Sequence, residues 1–276
     1  MSIIKMEKIN YLKMCCNNKM LLKTSKYFVF LLVLLIYARP SYCQGERLAD
    51  NNNIAWFVYT GTFKIKPKIA LHTEYQWRRV NGIKNRQQCL FRTGIHYALH
   101  KNISLNAGYA FVETFPYGNY PVATPFPEHR IYEQIVLNSP SDIVAVSHRF
   151  TLEQRFVGKR LNQNSNRTID WVYLNRIRYR VRAEIPIAKK KQAKNIWSVA
   201  FMDEVFIGWG KNIGANVFDQ NRLAVLLGYK LNQNIKFEAG YLNQVLQQGK
   251  RVNNKPVFQY NNGFMFATHL SLSFIK

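Results

Sequence analysis

Fifteen residues, WVYLNRIRYRVRAEI from Trp171 to Ile185, constrain this chain more than any other stretch. Trp171, Tyr173, Ile177, Tyr179, Val181 and Ile185 stand at odd positions, and Arg176, Arg178, Arg180, Arg182 and Glu184 at even ones. In extended chain successive side chains point to opposite faces, so a period of two puts every charge on one side. Helical spacing would spread the same arginines around the axis. The stretch is therefore a long strand with one apolar face and one wet, charged face. Such a strand fits a soluble sheet with a buried side, or a barrel in lipid whose lumen takes the charges.

The amino terminus favours export. Lys19, Lys23 and Lys26 precede the apolar run Tyr27 to Ala38, followed by Arg39, Pro40, Ser41, Tyr42 and Cys43. This is the charged, apolar and small-residue order of a signal peptide, and its run of about a dozen residues falls short of the roughly 20 a transmembrane helix needs. We expect residues 1–43 to be removed before Gln44, with Met1 or Met20 as the start and acylation of Cys43 as the lesser alternative. Cleavage takes the chain from 39 basic and 15 acidic residues to 32 and 14, a formal charge of +18. Of four cysteines only Cys89 remains, so an exported domain must hold itself without an internal disulfide, as a closed barrel does through backbone pairing.

Alternation continues through residues 44–276, one outer-membrane barrel domain by this reading. Eleven strands are expected: Ile54 to Ile65, Ile69 to Arg78, Gln88 to Leu99, Ile103 to Phe111, His129 to Leu137, Ala145 to Val157, Trp171 to Ile185, Trp197 to Trp209, Leu223 to Tyr229, Ile235 to Tyr241 and Phe264 to Phe274. Short turns alternate with longer connections, the asymmetry of barrels with short periplasmic turns and long external loops. Gln44 to Asn53 reads as a leader or plug, and Glu113 to Pro127 as an external loop; Gly158 to Asp170, Gly210 to Asn221 and Gln247 to Asn262 read as further loops. Single-chain bacterial barrels use even strand numbers, so a twelfth strand is expected from the leader or from the region around Phe258. Two acidic residues break the pattern: Glu133 shares a face with Ile131 and Ile135, which suggests a bulge or strand-top position, and Asp203 sits among Phe201 and Val205.

The segments EHRIYEQ (Glu128 to Gln134), HRFTLEQRF (His148 to Phe156), NRIRYRVRAEIPI (Asn175 to Ile187), DEVFIGWGKN (Asp203 to Asn212) and FDQNRLAVLLGYKLNQNIKFEAGYLNQ (Phe218 to Gln244) together resemble an uncharacterised family of Gram-negative outer-membrane barrels, a domain of unknown function. The resemblance implies a membrane barrel and carries no catalytic or binding residues with it; at about 20 residues per strand and connection, the chain is expected to form an all-β, closed antiparallel transmembrane barrel of roughly 10–12 strands.

The inward register holds Arg149, Glu153, Arg155, Arg176, Arg178, Arg180, Arg182, Glu184, Glu204, Arg222, Lys236 and Glu238. Buried charges need partners, so Glu153, Glu184, Glu204 and Glu238 should pair with the arginines in a network that fills the lumen. An arginine-lined, anion-preferring pore is the alternative, and small anions would be its cargo. A lipid-modifying enzyme would need an outward nucleophile beside His148, and no outward serine is evident. His72, His96 and His269 lack metal-ligand spacing, and no phosphate-binding glycine loop or nucleophile elbow occurs, so no metal, cofactor or catalytic set is expected. The basic turn Lys189 to Lys194 suits anionic head groups rather than nucleic acid. Outer-membrane lipids and the outer-membrane assembly machinery, which would read the C-terminal Phe274, are the expected partners.

Overall fold

The computed structural model describes residues 46–162, 167–187, 196–214 and 216–275. The expected signal peptide and the basic turn Lys189 to Lys194 lie outside the described residues. Eleven strands follow in order: β1 (Leu48–Lys66), β2 (Ile69–Val80), β3 (Asn85–His100), β4 (Ile103–Thr114), β5 (Phe126–Ser139), β6 (Ala145–Arg160), β7 (Thr168–Pro186), β8 (Ile196–Trp209), β9 (Phe218–Lys230), β10 (Ile235–Val252) and β11 (Lys255–Ser273). Among the described residues a single 3-10 turn, Lys211–Ile213, precedes β9. Each strand pairs antiparallel with the next, and β1 closes on β11 in a parallel seam from Leu48↔Val257 to Lys64↔Ser273.

The expectation of a twelfth strand fails. Leu48 to Asn53, read as leader, are the first residues of β1, and the region around Phe258 belongs to β11. With an odd number of alternating strands the first and last run the same way, so closure must be parallel and the two strand ends lie at opposite mouths. The mouth where β1 begins is also where β2, β4, β6, β8 and β10 end; β11 ends at the other.

Several expected loops are shorter than their composition suggests. Gln247 to Asn262 is mostly strand, with β10 and β11 joined through Asn253 and Asn254 at φ 49° and 63°. Two consecutive positive φ values define the tight hairpin turn whose twist matches the flanking strands, and asparagine tolerates it. Gly158 to Arg160 and Thr168 to Asp170 likewise extend β6 and β7. Residues 115–125 do form a loop, but it turns into the mouth: Tyr117 donates to Gln259 Oε1 at 2.9 Å and accepts from Asn261 at 3.1 Å, while the Asn119 amide donates to Asp50 Oδ1 at 3.1 Å. Glu133 stands in β5 with no register shift toward either neighbour, so neither a bulge nor a strand top explains it. Its carboxylate faces outward and accepts from Gln154 at 3.3 Å, as Asp203 accepts from Asn221 at 2.7 Å.

The two faces differ in chemistry. Outward positions such as Phe91, Ile95, Ile131, Phe150, Ile177, Phe201, Leu227 and Phe266 are exposed and apolar, with Trp77, Trp171 and Trp209 near one mouth and Trp197 near the other. Inward positions are filled. Ile54, Trp56, Val80, Ala200, Ala224, Leu226 and Leu242 form a compact apolar cluster within the barrel. Tyr132 reaches across the wall at Gly94 and Gly108, where any Cβ would collide with its hydroxyl. That hydroxyl donates to Asn106 Oδ1 at 3.2 Å.

Candidate functional site

Strands β2, β3, β5, β6, β7, β8 and β9 aim their charged residues at one another through the period of two. Glu153 accepts from Arg178 Nη1 at 2.6 Å and from Arg176 Nε at 2.9 Å, and Arg92 stands 3.8 Å away. Arg178 continues to Glu204 at 2.9 Å, which also holds Arg149 at 2.7 Å. Arg176 bridges to Asp219 at 2.8 Å; Asp219 leads to Arg155 at 3.5 Å, and Glu128 joins Arg155 to Arg130 at 2.5 and 2.6 Å. Arg92 reaches Glu74 at 3.0 Å, and Arg222 approaches Glu204 at 3.9 Å. Seven arginines and five carboxylates thus form one continuous network. Glu153 is 1% exposed and Arg176 and Arg178 are each 3% exposed, so the centre of the network is withdrawn from water.

A smaller cluster lies toward the opposite mouth, where Glu238 and Glu184 are shared between Arg182 and Lys236 and His269 stands 3.1 Å from Glu238. Eleven of the twelve charged residues expected inward thus join one or other cluster. Arg180 differs: it makes no ion pair among the described residues, and its Nε has no hydrogen-bond partner. His72 pairs with Glu74 at 3.6 Å, apart from His269. Outward His148 meets the Tyr179 hydroxyl at 2.9 Å rather than a serine.

Five members of the main network stand outside the twelve residues expected on the inward register. Glu74 and Arg92 fall on the inward register of β2 and β3, so alternation alone could have added them. Glu128 and Arg130 stand at the start of β5, beside a segment read as loop. Asp219 was not accessible by parity, since Gln220 and Arg222 define the inward register of β9. Pairing slips between Phe206↔Gln220 and Ile207↔Phe218, and this bulge turns the extra residue, Asp219, inward beside Gln220.

Aromatic rings supply the rest of the lining. Arg176, Arg178 and Arg222 lie 5.1, 4.6 and 4.5 Å from the centre of the Phe206 ring, and Arg78 and Arg222 lie 3.9 and 4.9 Å from that of Trp56. The indole N–H of Trp56 donates to Gln87 at 2.7 Å. Above this layer, at the mouth where β1 begins, a cavity of about 370 Å³ opens. Arg78, Arg130, Arg155, Arg176 and Arg222 form its charged floor with Glu128 and Asp219; Gln87, Gln244, Gln248 and Gln259 add amides, and Phe115, Tyr117 and Phe126 add rings. Withdrawal from water pushes the Tyr117 phenol up, with the amide donors of Gln87 and Asn261 opposing. The hydroxyl therefore stays protonated and keeps its bond to Gln259 at neutral pH.

These features define a closed all-β barrel with an apolar outer wall, a buried arginine and carboxylate network within it and a cavity at one mouth. The chain belongs to the family described as Protein of unknown function (DUF2490), whose model matches residues 53–255. No curated protein and no solved structure matches it.

Proposed function

We propose that this protein is an exported outer-membrane barrel, sealed across its lumen and non-conducting, that works as a binding protein through its blind mouth rather than as a pore or an enzyme. The observation that carries this reading is the burial of Glu153, Arg176, Arg178 and Glu204 to 3% exposure or less, with Phe206 at 0% against them. Side chains lining a water-filled channel would keep contact with water; these have exchanged it for each other. Each inward arginine would cost roughly 2–4 kcal/mol on a lipid face at mid-bilayer, which supports lipid outside and charge inside. The apolar wall with tryptophans near both ends fits outer-membrane lipids. The connection 115–125, at the mouth that holds the cavity, fits the long external loops of outer-membrane barrels, whose periplasmic turns are short. The cavity would then face outward.

Conductance in planar lipid bilayers tests the seal. The reconstituted full chain is expected to give no stable current steps; steady ohmic steps with anion preference would replace this reading with the pore. Membrane fractionation with N-terminal sequencing tests the location, and recovery from the cytosol with residues 1–43 attached would refute it.

A further inference from the structure

The mouth cavity carries more positive charge than its own carboxylates neutralise. Glu128 is occupied by Arg130 and Arg155, and Asp219 by Arg176 and Arg155. Arg78, 4% exposed, has no ion pair among the described residues: it donates to the amide oxygens of Gln76, at 2.8 Å from Nε, and Gln88, and rests on Trp56. The nearest carboxylate to Arg222 is Glu204 at 3.9 Å, already held by Arg178 and Arg149. Two buried guanidinium groups therefore share one indole, Arg78 with no carboxylate partner among the described residues and Arg222 with only the shared Glu204 at 3.9 Å. Amide and ring contacts solvate a cation but leave its charge uncompensated, so the floor of the cavity attracts an anion.

Its walls ask for something besides charge. Gln248 is 8% exposed and donates to the Tyr120 carbonyl at 2.8 Å, yet its Oε1 has no hydrogen-bond partner and the side chain lines the cavity. A buried acceptor of this kind is satisfied by a ligand hydroxyl. Phe115 and Phe126 border the same space with apolar surface, and 370 Å³ lies within the range of small-ligand sites.

We infer that the mouth cavity binds an anionic sugar, a single ring bearing a phosphate or carboxylate, with the anion on Arg78 and Arg222 and a hydroxyl donated to Gln248. The inference rests on the sealed-barrel reading, since a through-going pore would have no blind floor to hold the anion. The ring and charge could belong to a free sugar or to a glycolipid headgroup, which share this chemistry.

Isothermal titration of the full chain in detergent, with glucose, glucose 6-phosphate, glucuronate and inorganic phosphate as probes, tests it. Both anionic sugars are expected to bind about tenfold or more tightly than glucose, and glucose 6-phosphate similarly more tightly than phosphate, as charge-assisted hydrogen bonds and added hydroxyl contacts require. Arg78→Met should remove about tenfold of the glucose 6-phosphate affinity. Gln248→Glu, outside the ion-pair network, should weaken it by repulsion even if the Arg78 variant fails to fold. Equal affinity for glucose and the anionic sugars, phosphate binding as tight as glucose 6-phosphate, or unchanged affinity in the folded variants would overturn the assignment. Native mass spectrometry of protein extracted from its own membrane separates the sources: a retained glycolipid displaced by glucose 6-phosphate assigns a headgroup, and ligand-free protein that titrates assigns the free sugar. Bilayer conductance reads the seal independently, so loss of binding in a non-conducting protein refutes the site alone.

Discussion

Replacing Glu153 with glutamine tests the network at its most connected point. The side chain keeps its shape, so packing against Arg176 and Arg178 survives while the negative charge is lost. Glu153 is 1% exposed and compensates Arg176 and Arg178 directly, with Arg92 at 3.8 Å. Removing one partner from a buried ion pair generally costs about 3–5 kcal/mol because the other charge is left uncompensated. Arg178 retains Glu204 at 2.9 Å and Arg176 retains Asp219 at 2.8 Å, so the lower end of that range, about 3 kcal/mol, is expected. For a domain of this size that is a fall of roughly 6–12 °C in the unfolding midpoint. The assay is the temperature at which the folded band converts to the unfolded one on a detergent gel. Lys159 and Asp170 provide the control, a 3.0 Å pair whose side chains are 59% and 57% exposed. Asp170→Asn should leave the midpoint where it is, because water and salt screen an exposed pair. A Glu153→Gln midpoint equal to wild type would refute the idea that this carboxylate compensates buried arginines.

Cysteines at Tyr59 and Thr268, and separately at Asn53 and Asn262, should each crosslink within one chain when Cys89 is replaced by serine. Both pairs share one parallel register; an antiparallel seam could bring at most one of them together. Glu133→Leu should raise resistance to urea in liposomes by about 1–2 kcal/mol, since an acidic residue on a lipid-facing wall is unfavourable; a loss of stability instead would mean the wall around Glu133 and Gln154 is covered by protein. Gly94→Ala should lower the gel-shift midpoint by an amount corresponding to about 1–3 kcal/mol, because the new methyl meets the Tyr132 hydroxyl; an unchanged midpoint would show that Tyr132 does not cross the wall there. Deleting residues 115–125 should expose the mouth without producing bilayer current, as the lumen is closed below it by Glu153 and Arg178; current in that deletion would place the seal in the loop.

The alternation of Trp171 to Ile185 and its ten companion strands was legible because a strand's two faces meet different surroundings and must differ in residue type at every second position. That single constraint placed Arg176, Arg178, Glu153 and Glu204 on one side, and charge balance named the carboxylates among their partners. Strand ends were less legible. Gln247 to Asn262 and the ends of the other connections are polar because they lie at a rim, where composition no longer distinguishes strand from loop; only pairing with a neighbour decides. The same holds for Leu48 to Asn53, whose strand character comes from lying beside Val257 to Asn262. Register shifts are pairwise properties of two strands, so the inward turn of Asp219 against its parity belongs to the fit of β8 to β9 and not to β9 itself. Closure belongs to the whole barrel. Alternation assigns each strand its faces, but whether an eleventh strand recruits a twelfth or joins the first directly depends on how all the backbone edges meet in space, and here β1 and β11 satisfy one another in parallel. The burial of the network was decided at that same level: the residues on the inner face were readable one by one, while their withdrawal from water followed from the number of strands that enclose them.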